Sequence, residues 1–231
     1  SEGIEFGFIY ANSTLSLNAS YYEMDTLNEI QFDQSVNTNL NPIQREGINI
    51  DLEYTPDNRQ RIKTSYSFTN AEFTSGTLTP GSGGPDSCNY DNTTYCSNSN
   101  TWKNLMGGGT TYSLAGKKVP LVAPISFSLN YENELQDNLR FDFQFKYTDE
   151  KYVSNDQENI EPQIPAYYII NTSLKSVKDP YTVSVGVNNL LNKNAYDFAV
   201  SSTFHDDAHY GLSNVYPLAE RNMFVNFGYT F

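Results

Sequence analysis

The chain lacks what a helical protein is built from. Methionine occurs three times and tryptophan once, and no stretch is rich in Leu, Ala and Met together. No apolar run approaches the roughly 18 residues that a membrane helix needs, so a helical span is excluded. Cations are scarce: 14 Lys and Arg against 27 Asp and Glu leave a net charge of −13. That balance argues against nucleic acid as a partner. There is no Gly-x-Ser-x-Gly, no glycine-rich phosphate loop after a strand and no His-Glu-x-x-His. The sequence therefore reads as a non-enzyme, calling for no cofactor and no resident metal. No leader segment stands at Ser1, and the chain begins almost inside a strand, so an upstream portion is expected.

What is abundant is tyrosine and phenylalanine, 18 and 14 residues respectively. Aromatic side chains favour strands. Period-two alternation of apolar and polar residues predicts nine of them: Ile4–Tyr10, Leu15–Met24, Gly47–Tyr54, Ile62–Phe73, Ile125–Glu132, Leu139–Tyr147, Tyr167–Lys175, Val183–Val187 and Arg221–Phe231. The clearest sets Leu139, Phe141, Phe143, Phe145 and Tyr147 against Arg140, Asp142, Gln144 and Lys146. The last sets Met223, Val225, Phe227, Tyr229 and Phe231 against Asn222, Asn226, Gly228 and Thr230, with Phe224 out of pattern.

The connections alternate between about four residues and about fifteen to fifty. In a two-sheet sandwich nothing requires such alternation. In a transmembrane barrel short turns lie on the periplasmic side and long loops outside, with apolar side chains toward lipid and polar ones toward the lumen. The fold class expected is therefore all-β, a transmembrane antiparallel barrel whose mean hydropathy stays low because half of each strand avoids lipid. Tyr10, Tyr54, Tyr131 and Tyr147 at strand ends suit an interfacial girdle. Nine strands is an odd number, and an open sheet in hydrocarbon would leave two edges without hydrogen-bond partners. Residues 1–231 are thus read as one C-terminal portion of a larger barrel, with Phe231 ending in the periplasm.

Several phrases resemble TonB-dependent outer-membrane receptors. Gly186-Val187-Asn188-Asn189-Leu190-Leu191-Asn192-Lys193-Asn194-Ala195-Tyr196 is similar to that family's penultimate-strand signature. Tyr216-Pro217-Leu218-Ala219-Glu220-Arg221 is similar to the run leading into its last strand, with Ala219 and Glu220 replacing the usual Pro-Gly. Asn28-Glu29-Ile30, Arg45-Glu46-Gly47-Ile48 and Ala115-Gly116-Lys117-Lys118-Val119-Pro120 add weaker matches. The resemblance implies a barrel of about 22 strands, filled by an N-terminal plug that is absent from this chain. It also implies TonB-driven import across the bacterial outer membrane, most readily of a ferric siderophore. A passive porin or channel, or a receptor for cobalamin, haem or a carbohydrate, are the alternatives. The implied partners are outer-membrane lipid and lipopolysaccharide, the TonB complex through the plug, and the barrel-assembly machinery, which would read the strand ending at Phe231.

Ligand capture is expected in the long loops. Tyr90, Trp102, Lys103, Tyr112, Tyr152 and Tyr210 are candidates, with Tyr95, Tyr196 and Phe204 beside them; packing among the loops is the competing role. Trp102 has the area and the N–H donor of an interface hot spot. The pentad His205-Asp206-Asp207-Ala208-His209 holds both histidines of the chain. It suits either contact with a metal-bearing ligand or a solvated acidic loop tip. Cys88 and Cys96 share one polar loop and are read as a disulfide in an oxidising compartment, since partners for a thiolate metal site are missing nearby.

Overall fold

The structure, a computed structural model, describes residues 1–33, 36–78, 111–154, 156–201 and 213–230. Nine long strands form one sheet: β1 (Glu2–Ala11), β2 (Leu15–Thr26), β5 (Ile43–Tyr54), β6 (Gln60–Phe73), β9 (Ile125–Gln136), β10 (Leu139–Thr148), β11 (Tyr167–Lys178), β12 (Tyr181–Asn188) and β15 (Asn222–Tyr229). Each pairs antiparallel with its neighbour in that order. These are the nine strands expected, most of them longer by a few residues. The sheet is an open arc, with β1 and β15 as its edges.

Register keeps the two faces distinct across the arc. Tyr10, Leu17, Leu52, Thr64, Leu129, Phe145 and Ile170 are successive partners in one row of the apolar face. One residue over, Asn18, Asp51, Ser65, Ser128 and Lys146 form a row of the polar face. A slip of one residue at any strand would exchange the faces, so the two-faced pattern of apolar and polar residues specifies the register. The polar face is cross-linked by its own side chains. Ser65 Oγ donates to Asp51 Oδ1 at 2.6 Å and Ser67 Oγ to Asn49 Oδ1 at 2.8 Å. Asn171 Nδ2 donates to Gln144 Oε1 at 2.7 Å, and Gln144 Nε2 to Asn130 Oδ1 at 3.0 Å. Arg140 Nε lies 2.9 Å from Asp142 Oδ1 as a charge contact whose angle is too poor for a hydrogen bond.

Two apparent misfits have local causes. Phe224 occupies the polar face because its ring covers Gly186, where a Cβ would collide with it. At Gly47 the Tyr22 ring crosses the same kind of gap, and the Tyr22 hydroxyl shares a hydrogen bond of 3.1 Å with Thr69 Oγ1.

The long connections hold short strands beyond the nine expected. Hairpin β3 (Ile30–Asp33) with β4 (Val36–Asn39) stands between β2 and β5. The short pair β7 (Thr77–Leu78) with β8 (Tyr112–Ser113) lies between β6 and β9, and β13 (Tyr196–Ser201) with β14 (Ser213–Pro217) between β12 and β15.

Candidate ligand-binding rim

At the long-loop end the wall changes character. Beyond Tyr21, Ile48 and Phe68 the outward face turns polar: Gln44 Nε2 donates to Glu23 Oε1 at 3.0 Å and Asn70 Nδ2 to Glu46 Oε1 at 3.1 Å. Lys118 Nζ adds hydrogen bonds of 2.6 Å to Asn70 Oδ1 and 2.5 Å to Glu72 Oε1. At the same height the inward residues Ile43, Ala71 and Phe73 are buried with Leu114 and Val119. The strands have risen out of the apolar band, so water now meets the outward face and the loops pack against the inward one. The largest fully buried side chains, Phe73, Ile43, Leu114, Ile164 and Val153, all lie at this rim.

Three loops are tied together here. Segment 114–119 lies along the free upper edge of β6, with Phe73 N donating to Lys117 O and Val119 N to Ala71 O. Asn159 receives the Lys118 amide at 2.6 Å and returns Nδ2 to Lys118 O at 2.9 Å. Leu121 N donates to Tyr152 O, and Ser154 N to Ala199 O. Val153, Ile164 and Ala199 form a second small core, against which Leu121 and Tyr196 pack. Lys151 Nζ and the Tyr167 hydroxyl both donate to Asp197 Oδ1, at 2.9 and 2.8 Å. The result is a platform of described loop segments joined by hydrogen bonds and two small cores.

Asp156 and Glu158 are 2% and 5% exposed within it. Burial pushes the Asp156 carboxyl up, against hydrogen bonds donated by the Ile160 and Glu161 amides. Burial likewise pushes Glu158 up, helped by the Asp156 charge. A carboxyl raised in the folded state holds its proton more tightly there, so stability falls as pH rises from its unfolded value through its folded one. Burial would raise Asp197 too, but the bonds from Lys151 and Tyr167 outweigh it and hold Asp197 low. Asp197 therefore stays ionised in mild acid, and its stabilisation is lost only as pH falls through that depressed value. Acidification from about pH 7 toward the ordinary carboxylate range of about pH 4 is expected to slow amide exchange over residues 156–161, after correction for intrinsic rates. Glu158→Gln should reduce that response; exchange that speeds up in mild acid would contradict the assignment.

Of the residues expected to contact ligand, Tyr112 lies in β8 and Tyr152 in the tied loop, both half-buried, and no described ring contact joins them. Tyr196 proves to be a packing residue of the second core. Tyr90, Tyr95, Trp102, Lys103, Phe204, His205, Asp206, Asp207, His209 and Tyr210 fall outside the described residues, as do Cys88, Cys96 and Phe231. Among the described residues no group of acidic, His or Cys side chains has the geometry of a metal site. At the opposite, short-turn end the polar face opens a shallow cavity of about 340 Å³ lined by Glu53, Arg59, Arg61, Glu132, Glu134 and Arg140.

One organising residue was missed. Asn189, 3% exposed and at φ +50°, binds four groups at once. Its amide donates to Asn171 Oδ1 at 2.9 Å, and its Nδ2 to Lys193 O at 2.9 Å and Ala219 O at 3.1 Å. Its Oδ1 accepts from Lys193 N at 2.8 Å. The side chain thus fastens the turn after β12 to the run that enters β15, and the main-chain amide ties the same turn to β11. The only signal in the sequence was its place inside the Asn-Asn-Leu-Leu-Asn-Lys run.

The comparisons with known proteins agree with this geometry. No curated protein sequence matches the chain. Among solved structures, the siderophore receptor PiuA from Acinetobacter baumannii superposes with a TM-score of 0.68 at 15% identity, covering 97% of this chain and 27% of that one. The ferric yersiniabactin uptake receptor FyuA from Yersinia pestis gives 0.69 at 13% identity, covering 97% and 29%. The copper transporter OprC gives 0.64 at 11%, covering 99% and 32%. At these identities the likeness speaks for the fold, and the chain spans about a third or less of each relative. The profile described as "TonB dependent receptor-like, beta-barrel" matches residues 1–190. With most of its length matched and its sheet built as that fold requires, the chain belongs to the TonB-dependent receptor β-barrel family.

Proposed function

We propose that this chain is the C-terminal arc of an outer-membrane receptor that imports a scarce ligand, most readily a ferric siderophore, with energy from TonB. The observation that carries the reading is the family match combined with a wall that is apolar outside, polar inside and crowned on one rim by loops tied into a platform. The uptake roles named for the structural relatives support it. In this reading the short turns face the periplasm and the long loops the exterior. A disulfide between Cys88 and Cys96 stiffens the longest loop. An upstream plug rests on the charged polar face around Arg59, Arg61 and Arg140 and provides the TonB contact. The terminal strand at Phe231 is what the barrel-assembly machinery reads, and lipopolysaccharide surrounds the outer half of the wall.

Cells producing the full-length receptor should accumulate radiolabelled ferric siderophore from a mixed catecholate and hydroxamate panel only when TonB is present. Uptake that is equal without TonB would favour a passive channel instead. Trp102→Ala is expected to weaken binding of the accepted siderophore at least about tenfold, or about 1.4 kcal/mol, with the barrel still folded. If Asp206→Asn with Asp207→Asn changes affinity and Trp102→Ala does not, recognition lies in the second loop and favours a cationic or metal-bearing ligand.

A further inference from the structure

One carboxylate at the rim is aimed by buried donors but only half used by them. Lys151 and Tyr167 are 8% and 4% exposed, and both donate to Asp197 Oδ1. Asp197 Oδ2 takes no hydrogen bond from a described residue, and the side chain is 44% exposed. The site faces inward. Tyr167 is the strand partner of Thr148, and Lys146 lies two residues below Thr148 on the same polar face of β10. Lys146 is exposed and makes no ion pair with a described residue. Its charge nevertheless reaches Asp197. Beside Lys146 the partners Ser128 and Ser65 are small, and a cavity of about 300 Å³ opens there, with Ser126 and Asp51 also in its lining. Asp51 is engaged by Ser65 at 2.6 Å. An ammonium and a carboxylate oxygen, both unused by the wall, thus stand near each other with open space beneath the loops.

We infer that Asp197 and Lys146 form a two-point site for a ligand end that carries an ammonium beside a carboxylate, as an α-amino acid does. The ligand ammonium donates to Asp197 Oδ2, on the side of the carboxylate away from Lys151, and the ligand carboxylate accepts from Lys146. Both contacts are charge-assisted hydrogen bonds, the stronger kind. Two buried donors already fix the Asp197 carboxylate, so little side-chain freedom remains to be lost when a ligand binds. The pair also discriminates. An end with an ammonium alone leaves Lys146 unsatisfied and near a like charge, and an end with a carboxylate alone meets Asp197. The inference rests on the import reading above for the ligand's arrival from the loop side, so binding at the site and TonB-dependent uptake are measured separately.

The test uses the full-length receptor in mild detergent and four ferric trihydroxamate complexes that differ only in the tail. One tail ends in an α-amino carboxylate, one in an ammonium, one in a carboxylate and one in a neutral N-acetyl group. Affinities are measured by calorimetry on preparations that remain heat-modifiable, and so folded. Wild type should bind the α-amino carboxylate tail at least about fivefold tighter than the neutral one. Asp197→Asn should remove the share of that preference due to the ammonium, and Lys146→Gln the share due to the carboxylate, while the neutral tail should not distinguish the proteins. Lys146→Gln touches none of the rim's bonds, so it tests the site even if Asp197→Asn disturbs the platform. Equal affinity of wild type for all four tails, no binding of any, or a preference unchanged in Lys146→Gln would overturn the inference. A preference lost in both variants, in a receptor whose uptake needs no TonB, would keep the site and overturn import. TonB-dependent uptake without any tail preference would do the reverse, and would leave Lys146 and Asp197 to contacts with the upstream plug.

Discussion

Replacing Asn189 by leucine should loosen the turn after β12 from the run that enters β15. The side chain is nearly the same size, so the loss is of hydrogen bonds and not of volume. Two carbonyls, of Lys193 and Ala219, and the Lys193 amide would lose their partner. Each such group costs about 1–3 kcal/mol when it stays out of water, and water can reach some of them. Leucine also tolerates the φ of +50° less well than asparagine does. A total of about 3–4 kcal/mol is expected, read as a lower urea midpoint for loss of heat-modifiable receptor. Asn192→Ala removes one acceptor, that of the Arg221 amide, and meets a similar φ penalty at +51°, so it should cost about 2 kcal/mol. Equal effects of the two changes would show that Asn189 is not the fastener.

The second large effect belongs to the wall. Phe143 pairs with Tyr131 on one side and Thr172 on the other, on the apolar face and midway along β10. Asp142, next to it, is on the polar face with Arg140 and Ser173. Phe143→Arg should cost about 2–4 kcal/mol if that position lies near the bilayer midplane. Asp142→Asn should stay within about 1 kcal/mol, because it keeps an acceptor for Ser173 and loses only a half-exposed ion contact. The yield of folded receptor in outer-membrane fractions separates them. Comparable yields would mean that the faces are assigned the wrong way round.

Much of this wall was legible because its signal is local. Alternation in Leu139–Thr148 depends only on which side of the strand a residue occupies, and the lipid band repeats that rule in every strand. The reading stopped short where the rule reverses. Strand β5 begins at Ile43, four residues before Gly47, because above the band Gln44 and Glu46 face outward and Ile43 faces the loop core. A period-two pattern cannot show such a reversal until the height of the membrane is known. Hairpin β13–β14 was passed over although Tyr196, Phe198 and Val200 alternate, because it sits in a long polar connection; the Phe198–Tyr216 ring pair at 5.3 Å holds it. Asn189 was out of reach for another reason. Its partners lie at Asn171, Lys193 and Ala219, and its identity as an anchor appears only when three chain segments meet.

In this fold one face of the sheet meets lipid and the other the barrel interior. Spin labels placed one at a time along residues 139–148 of the full-length receptor, reconstituted in vesicles, test it most directly. Collision with dissolved oxygen, which concentrates in lipid, should peak at positions 139, 141, 143, 145 and 147. Collision with a water-soluble nickel chelate should be least at those same positions and rise between them. Oxygen maxima at positions 140, 142, 144 and 146, or an accessibility profile without a period of two, would contradict the account.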